Sequence, residues 1–286
     1  MTSKRHQELL LSALPMGWLL TFFVIPCVVV LTYAFRSSDL QGGLGSAWTL
    51  ETLHRLADPT YLPIVWRTLS MSALCTLFCV GLAIPIALQM VRCSAPWRGL
   101  LLMMVLLPFL TNLLIRMFAW KSLLHTEGLA KQVLVFLQLA TEDSQLLNHS
   151  GTVLLVMTYT QLPLAILPVY AAAEKFDLQL LEAARDLGAS SWQAARRIFL
   201  PGIRDGILSA SSMTFVCSLG QYVVPQFVGG AGDEMIGNKI VQRAFSDRNL
   251  PLACAMAGGL LLAILLSLIL LRAIAKLRRH WLERQA

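Results

Sequence analysis

Hydrophobic residues in this chain come in long unbroken runs, without the short apolar and polar alternation of a soluble fold. Six stretches contain no Asp, Glu, Lys or Arg: Leu9–Phe35, Thr68–Val91, Gly99–Ile115, Ser144–Ala173, Gly206–Gly232 and Asn249–Leu271. About 20 apolar residues cross the hydrocarbon as a helix, with ~17 as the lower limit, so each run can span. The third is the shortest, and it continues past Arg116 to Trp120 because an arginine near a helix end reaches the interface on its methylene stem. The predicted spans are 9–35, 68–91, 99–120, 150–173, 206–229 and 250–272 in one membrane domain, residues 1–286. Continuous runs exclude a membrane barrel, whose strands alternate over about 10 residues. The fold class is therefore all-α, an integral membrane protein of six helices.

The polar segments between the runs carry their own patterns. After the first run, Gly42, Gly43 and Gly45 predict a turn, and Thr49 then caps a short helix whose Leu50, Leu53 and Leu56 share a face before Asp58-Pro59 stops it. A second short pattern, Leu129, Val133, Leu134 and Leu137, follows Gly128 and is too short to cross, so it is expected along the interface. The longest charged interruption, 174–205, predicts two helices. Gly188 supplies a left-handed stop, and Ser190 with Gln193 forms a capping box for the second helix. Trp192, Ala195 and Ile198 are predicted on one face of that helix, with Arg196 and Arg197 elsewhere and Pro201 barring simple continuation. Ala183 and Ala184 are small enough to admit another backbone, and Glu182 is free to pair or cap.

Composition agrees with the runs. Of 286 residues 56% are hydrophobic and 14% charged, with a mean hydropathy of +0.65; there is too little polar material to coat a soluble globule of this length. Sorting the basic residues outside the spans gives orientation. One side holds Lys4, Arg5, Arg92, Arg98, Lys175, Arg185, Arg196, Arg197, Arg204, Arg272, Lys276, Arg278, Arg279 and Arg284, and the other holds Arg36, Arg55, Arg67, Lys121, Lys131, Lys239, Arg243 and Arg248. The positive-inside rule then places both termini, and the 174–205 loop, in the cytoplasm. The net charge of +7 follows from topology and anionic lipid heads without any nucleic acid. Lys4 and Arg5 precede the first run, whose length exceeds the h-region of a signal peptide, about 7–15 residues, so it is read as a retained helix. Five of the six cysteines, Cys27, Cys75, Cys79, Cys217 and Cys254, fall in spans and Cys93 borders one; without a CxxC or Cys/His cluster they read as small core residues.

Polar positions inside the runs mark a candidate path. Pro163 and Pro168, beside Tyr159 and Gln161, are expected to break part of the backbone bonding of the fourth span, which requires protein or a wet cavity to satisfy it. The fifth run ends in Gly220, Gln221, Tyr222, Val223, Val224, Pro225, Gln226, Phe227, Val228, Gly229, Gly230, which reads either as an unwound gate or as a Pro/Gly exit from an ordinary helix. Tyr159, Gln221, Tyr222 and Gln226 are the candidate path residues, Tyr222 and Gln226 sharing a face. Trp120 joins Tyr159 as a wall or packing residue. Arg116, the one charge within a span, is an interfacial anchor or a structural pair. Asp233 and Glu234 either attract cations or are solvated loop charge.

The 174–205 segment resembles the EAA signature of the membrane subunits of binding-protein-dependent ABC importers: Glu182-Ala183-Ala184, three residues, Gly188, nine residues, then Ile198-Phe199-Leu200-Pro201. The resemblance covers nearly the whole chain and is closest to polyamine permeases, through Leu50–Leu69, Pro108–Arg116, Leu162-Pro163 and Met235-Ile236-Gly237-Asn238. It implies the type I importer permease fold, with Glu182, Ala183, Ala184, Gly188, Trp192, Ile198 and Pro201 seated on an ATPase dimer, a homologous second permease completing the path, and a solute-binding protein delivering cargo across a bacterial inner membrane. No GxxxxGK[ST] loop exists here, so the chain is not an enzyme and binds no cofactor; ATP and Mg belong to the partner ATPase. The implied cargo is spermidine, putrescine or a related small cation, with a different small organic solute as the alternative, because polyamine permeases commonly carry a carboxylate where this chain has glutamines. An electrochemically driven carrier is disfavoured, since it needs coupling carboxylates and no run holds one. A non-transporting scaffold would leave the EAA hairpin dispensable for uptake.

Overall fold

The computed structural model describes residues 2–39, 43–56, 58–138, 141 and 145–283. Gly42, Ser144 and Arg284 lie outside the described residues, as do the side chains of Lys4, Arg5, Leu53, Arg272, Lys276, Arg278 and Arg279. In chain order the elements are α1 (Thr2–Ala34), β1 (Arg36–Ser38), β2 (Leu44–Trp48), α2 (Glu51–Leu56), a 3-10 turn (Pro59–Tyr61), α3 (Leu62–Arg92), α4 (Ala95–Leu110), α5 (Leu113–Leu124), α6 (Leu129–Phe136), α7 (Ser150–Glu174), α8 (Gln179–Asp186), α9 (Ser191–Ala194), a π turn (Ala195–Phe199), α10 (Leu200–Gly202), α11 (Arg204–Leu219), α12 (Val223–Val228), α13 (Ile236–Val241), a second π turn (Gln242–Ser246) and α14 (Leu250–Glu283). The chain divides into two compact units, Met1–Pro63 with Lys239–Leu270, and Ile64–Asn238 with Leu271–Ala286.

In the first unit most apolar side chains of α1 from Met16 onward are exposed, as on a helix whose surroundings are lipid or another chain, while Cys27 and Val30 are half-buried and Ala34 is buried. β1 and β2, the latter holding Gly45, pair as a small antiparallel hairpin, in which the Arg36 guanidinium stacks 4.8 Å from the Trp48 ring centroid and donates to the Ser46 carbonyl at 2.7 Å. Thr49 caps α2 as expected, its hydroxyl accepting from the Glu51 N–H at 3.1 Å. Asp58 both ends that region and starts the next turn, its carboxylate accepting from the Thr60 N–H at 2.9 Å and from the Thr60 hydroxyl. Those bonds stabilise the ionised form and hold the Asp58 carboxyl below its ordinary range.

Three described helices are long and apolar enough to cross a membrane: Pro15–Ala34, Pro59–Arg92 and Ser150–Glu174. Two of the six runs depart from a single helix. The third, predicted over 99–120, is bent by 91° between Ala95–Leu110 and Leu113–Phe136. Thr111 is extended there, its hydroxyl donating to the Pro108 carbonyl at 2.7 Å, and Asn112 accepts from the Leu114 N–H at 2.8 Å; short polar side chains favour such caps over a helix interior. The fifth, predicted over 206–229, stops at Leu219 and resumes at Val223. The fourth keeps one helix, Ser150–Glu174, through Pro163 and Pro168; each proline withholds a single donor and the helix holds its course. The sixth is the long α14, whose shorter apolar stretch is Leu250–Leu266.

The core of the second unit gathers small side chains of α3, α7 and α11: Cys75, Cys79, Ala83 and Ala87, then Val153, Val156, Ala165 and Ala173, then Ala210. Small residues let helix backbones approach, which is what drives association where lipid removes the hydrophobic incentive. α7 and α11 approach closely at Gly206, where a Cβ would stand 2.4 Å from the Ala172 Cβ and 2.8 Å from the Pro168 oxygen. Only Cys75 and Cys79 are buried cysteines, with their sulfurs 4.0 Å apart. Cys217 is exposed and Cys27, Cys93 and Cys254 are half-buried, so the core reading of the cysteines holds for two of the six.

Candidate functional site

The segment after α7 folds as the predicted hairpin. α8 ends in a Schellman turn: the Ala189 N–H donates to the Ala184 carbonyl at 3.0 Å and the Gly188 N–H to the Arg185 carbonyl at 2.9 Å, with Gly188 at φ +87°. The capping box is complete. Ser190 Oγ accepts from the Gln193 N–H at 3.3 Å, and Gln193 Oε1 accepts from the Ser190 N–H at 2.9 Å.

The face of the second helix that carries Trp192, Ala195 and Ile198 is the outward one, and a different set of residues is buried. Trp192 is 71% exposed, Ala195 and Ile198 are half-buried, and the inward residues are Ala194, Phe199 and Ile203. Their five- and four-residue spacing follows from the π turn Ala195–Phe199, where the Leu200 N–H reaches the Ala195 carbonyl and one extra residue rotates the face. Pro201 does not stop the helix; helical structure runs through Leu200–Gly202 and is offset at Ile203, φ −101°. Phe199 packs edge-on against Phe176, centroids 5.3 Å apart. Ala184 is buried, whereas Ala183 and Glu182 are exposed, and among the described residues no hydrogen bond or ion pair engages the Glu182 carboxylate. Leu180, Leu187 and Trp192 are 50%, 90% and 71% exposed, so the hairpin keeps one apolar side for its own bundle and leaves another open.

The second candidate site is the break between α11 and α12. Gly220–Tyr222 is irregular, and the chain then turns through Gly229–Gly232 to α13. Four side chains hold this region, and three of them were not singled out from sequence. Asn238 donates from Nδ2 to the Tyr222 carbonyl at 2.9 Å and to Gln226 Oε1 at 3.1 Å, while its Oδ1 accepts from the Met235 N–H at 3.2 Å. The Thr68 hydroxyl accepts from the Ile236 N–H at 2.9 Å. Asp233 accepts from the Gly230 N–H at 2.9 Å and from the Ser150 hydroxyl at the start of α7; it is 6% exposed, which overturns the reading of a solvated loop charge. Gly237 fits close under the break, where a Cβ would meet the Gln221 oxygen and Tyr222 Cβ at 3.0 Å.

Of the four predicted path residues, Tyr222 and Gln226 are exposed on the broken segment and Gln221 is half-buried beside them. Tyr159 is elsewhere, half-buried on α7 with its ring 5.4 Å from that of Trp120. Phe118 of α5 meets Phe227 of α12 edge-on at 5.3 Å. Arg116, also on α5, has Nε and Nη1 shielded from solvent and without a hydrogen-bond partner among the described residues. The only sequence signal for the Asn238 clamp was the Met235–Asn238 passage; nothing local pairs an asparagine with a turn 16 residues earlier.

Comparison with known proteins agrees with this arrangement. The family described as binding-protein-dependent transport system inner membrane component matches residues 66–285. The spermidine/putrescine transport system permease protein PotB of Haemophilus influenzae is 35% identical over 256 residues, covering 89% of this chain and 90% of that protein. PotB of Escherichia coli is 32% identical, covering 89% and 92%, and the inner membrane ABC transporter permease YdcU of the same organism is 35% identical over 72% and 70%. Among solved structures, a bacterial ABC transporter that imports the acidic polysaccharide alginate superposes with a TM-score of 0.74 at 19% identity, over 97% of this chain and 96% of that one. A bacterial alginate ABC transporter in complex with an alginate pentasaccharide-bound periplasmic protein superposes with the same TM-score, 0.74, at 19% identity, over 95% of each chain. The fold is that of an ABC importer permease, a non-catalytic membrane subunit, and the chain belongs to the inner membrane components of binding-protein-dependent transport systems.

Proposed function

We propose that this chain is one of two permease halves of an ATP-driven importer of polyamines such as spermidine and putrescine, or of a related small cationic solute, with both termini in the cytoplasm. Full-length similarity to permeases named for spermidine and putrescine supports the cargo class. The observation that carries the mechanism is the 175–203 hairpin, folded by its own turn and cap yet leaving Leu180, Leu187 and Trp192 open. An exposed apolar cluster on a small, well-fixed hairpin is suited to a groove on a soluble partner. An ATPase dimer seated there, using ATP and Mg, would move the hairpin together with α7 and α11. A solute-binding protein would deliver cargo from the other side, and a homologous permease would close the path along Gln221, Tyr222 and Gln226. Access then alternates as a rigid-body change.

The test is reconstitution with the companion permease, the ATPase and the binding protein, followed by uptake of radiolabelled putrescine and spermidine. Uptake that requires ATP and is lost on disruption at Gly188 is the expected result. Persistence without ATP, or with the hairpin disrupted, would refute the coupled importer.

A further inference from the structure

Arg98 joins three helices at the end of the bundle where the hairpin enters. It stands in the first turn of α4. From there its Nη1 lies 3.3 Å from Oε1 of Glu174, the last residue of α7, and its Nη2 donates to the Val91 carbonyl near the end of α3, also at 3.3 Å. The side chain is 31% exposed and its Nε is shielded from solvent, so the guanidinium is set into the corner between the helices. Tyr170, one turn back on α7 and buried, donates to the same Glu174 oxygen at 3.0 Å. A carboxylate at a helix C-terminus faces the negative end of the macrodipole. Glu174 is therefore unfavourable for α7 alone, and the cation from α4 offsets that cost.

The packing of α4 shows what the pair holds. No side chain of Ala95–Leu110 is buried; Leu101, Leu102 and Val105 meet the core half-buried. The end of α7 is fixed far more firmly. Phe176, two residues past Glu174, packs edge-on against Phe199 of the hairpin and lies against Gly202. At its other end α4 meets the 91° bend into α5, whose Phe118 touches Phe227 of α12 beside the broken segment. A contiguous set of contacts thus runs from the hairpin through Glu174 and Arg98 to α4, α5 and α12, the physical form that coupling between distant sites takes. We infer that Arg98 is the positioning residue that makes α4 follow the hairpin, its ion pair with Glu174 passing ATPase-driven movement to the path. The inference rests on the importer reading above and deepens it.

The complete transporter in liposomes is supplied with ATP, and putrescine uptake and ATP hydrolysis are measured on the same vesicles. The native chain is compared with Arg98→Glu, with Glu174→Arg and with the double variant in which the two charges are exchanged. Each single variant sets like charges together and raises the ATP hydrolysed per putrescine imported by roughly fivefold, the equivalent of the ~1 kcal/mol that a partly exposed ion pair reaches. Affinity of the ATPase for the solubilised permease pair stays native, because neither residue lies on the open side of the hairpin. The exchanged pair brings the ratio most of the way back; the bond to the Val91 carbonyl, which a glutamate cannot make, accounts for the remainder. If a charge reversal does not assemble, Glu174→Ala decides, since it removes the same pair from a half-exposed helix end. Native ratios in the single variants overturn the inference, as does a double variant no better coupled than they are, or ATPase affinity that falls in step with uptake. A native complex without ATP-driven putrescine uptake overturns the importer reading instead.

Discussion

Substitution of Gly188 isolates backbone conformation from every other contribution to the hairpin. The residue sits at φ +87° and nothing lies within 4 Å of where a Cβ would stand, so a new side chain meets no steric obstacle and its cost is conformational. Left-handed geometry costs an L-residue about 1–2 kcal/mol, with asparagine tolerated best and β-branched residues worst. Two hydrogen bonds hold the turn there, from Ala189 to Ala184 and from Gly188 to Arg185, so the chain cannot relax without losing them. Gly188→Ala is expected to weaken docking of the ATPase by roughly 5- to 30-fold, the equivalent of 1–2 kcal/mol; Gly188→Asn weakens it less and Gly188→Val more. The assay is titration of the ATPase onto the solubilised permease pair, followed by ATP-driven uptake at saturating ATPase. Docking by the valine variant as tight as by the asparagine variant would refute the reasoning, because the order depends only on the cost of positive φ.

Trp192 and Phe199 separate docking from folding. Trp192→Ala removes a 71% exposed ring, so thermal unfolding stays unchanged while ATPase affinity falls about 30-fold, as for an interface hot spot of ~2 kcal/mol. Phe199→Ala empties a fully buried site and costs about 3–5 kcal/mol, read as a lowered unfolding temperature in detergent. Gly206→Val forces a Cβ against Ala172 and Pro168 and destabilises by about 1–3 kcal/mol in the same measurement, whereas Gly81→Ala, with open space around it, stabilises its helix by up to ~1 kcal/mol. Ser190→Ala removes one side of the capping box and costs ~1 kcal/mol, visible as faster amide exchange at Gln193.

The hairpin was legible because its determinants are local. A glycine at a left-handed stop and a serine three residues before a glutamine act within one turn, and the chain folds there as its residues dictate. What escaped was non-local or depended on phase. The π turn adds one residue to a helix, and no composition rule announces it; Pro201 signalled only that the helix does not continue simply. The bend at Thr111-Asn112 was hidden because the apolar run around it is long enough to span, and periodicity does not register a cap inside a hydrophobic stretch. Asp233 and Asn238 were opaque for a different reason. Their partners, Ser150 and Tyr222, lie 83 and 16 residues away, and a charged or amide residue next to glycines looks the same whether it faces water or pins a loop.

The contacts at Gly202 and Gly206 bear on where the molecule can yield. With Phe176 lying 2.4 Å from a would-be Cβ at Gly202, and Ala172 at the same distance from one at Gly206, the hairpin, the end of α7 and the start of α11 have no free play between them. A displacement entering at Trp192 must carry both long helices. Compliance is then left to Gly220–Tyr222, where helical bonding lapses and the amide of Asn238 grips one carbonyl: a stiff lever with its flexure at the far end.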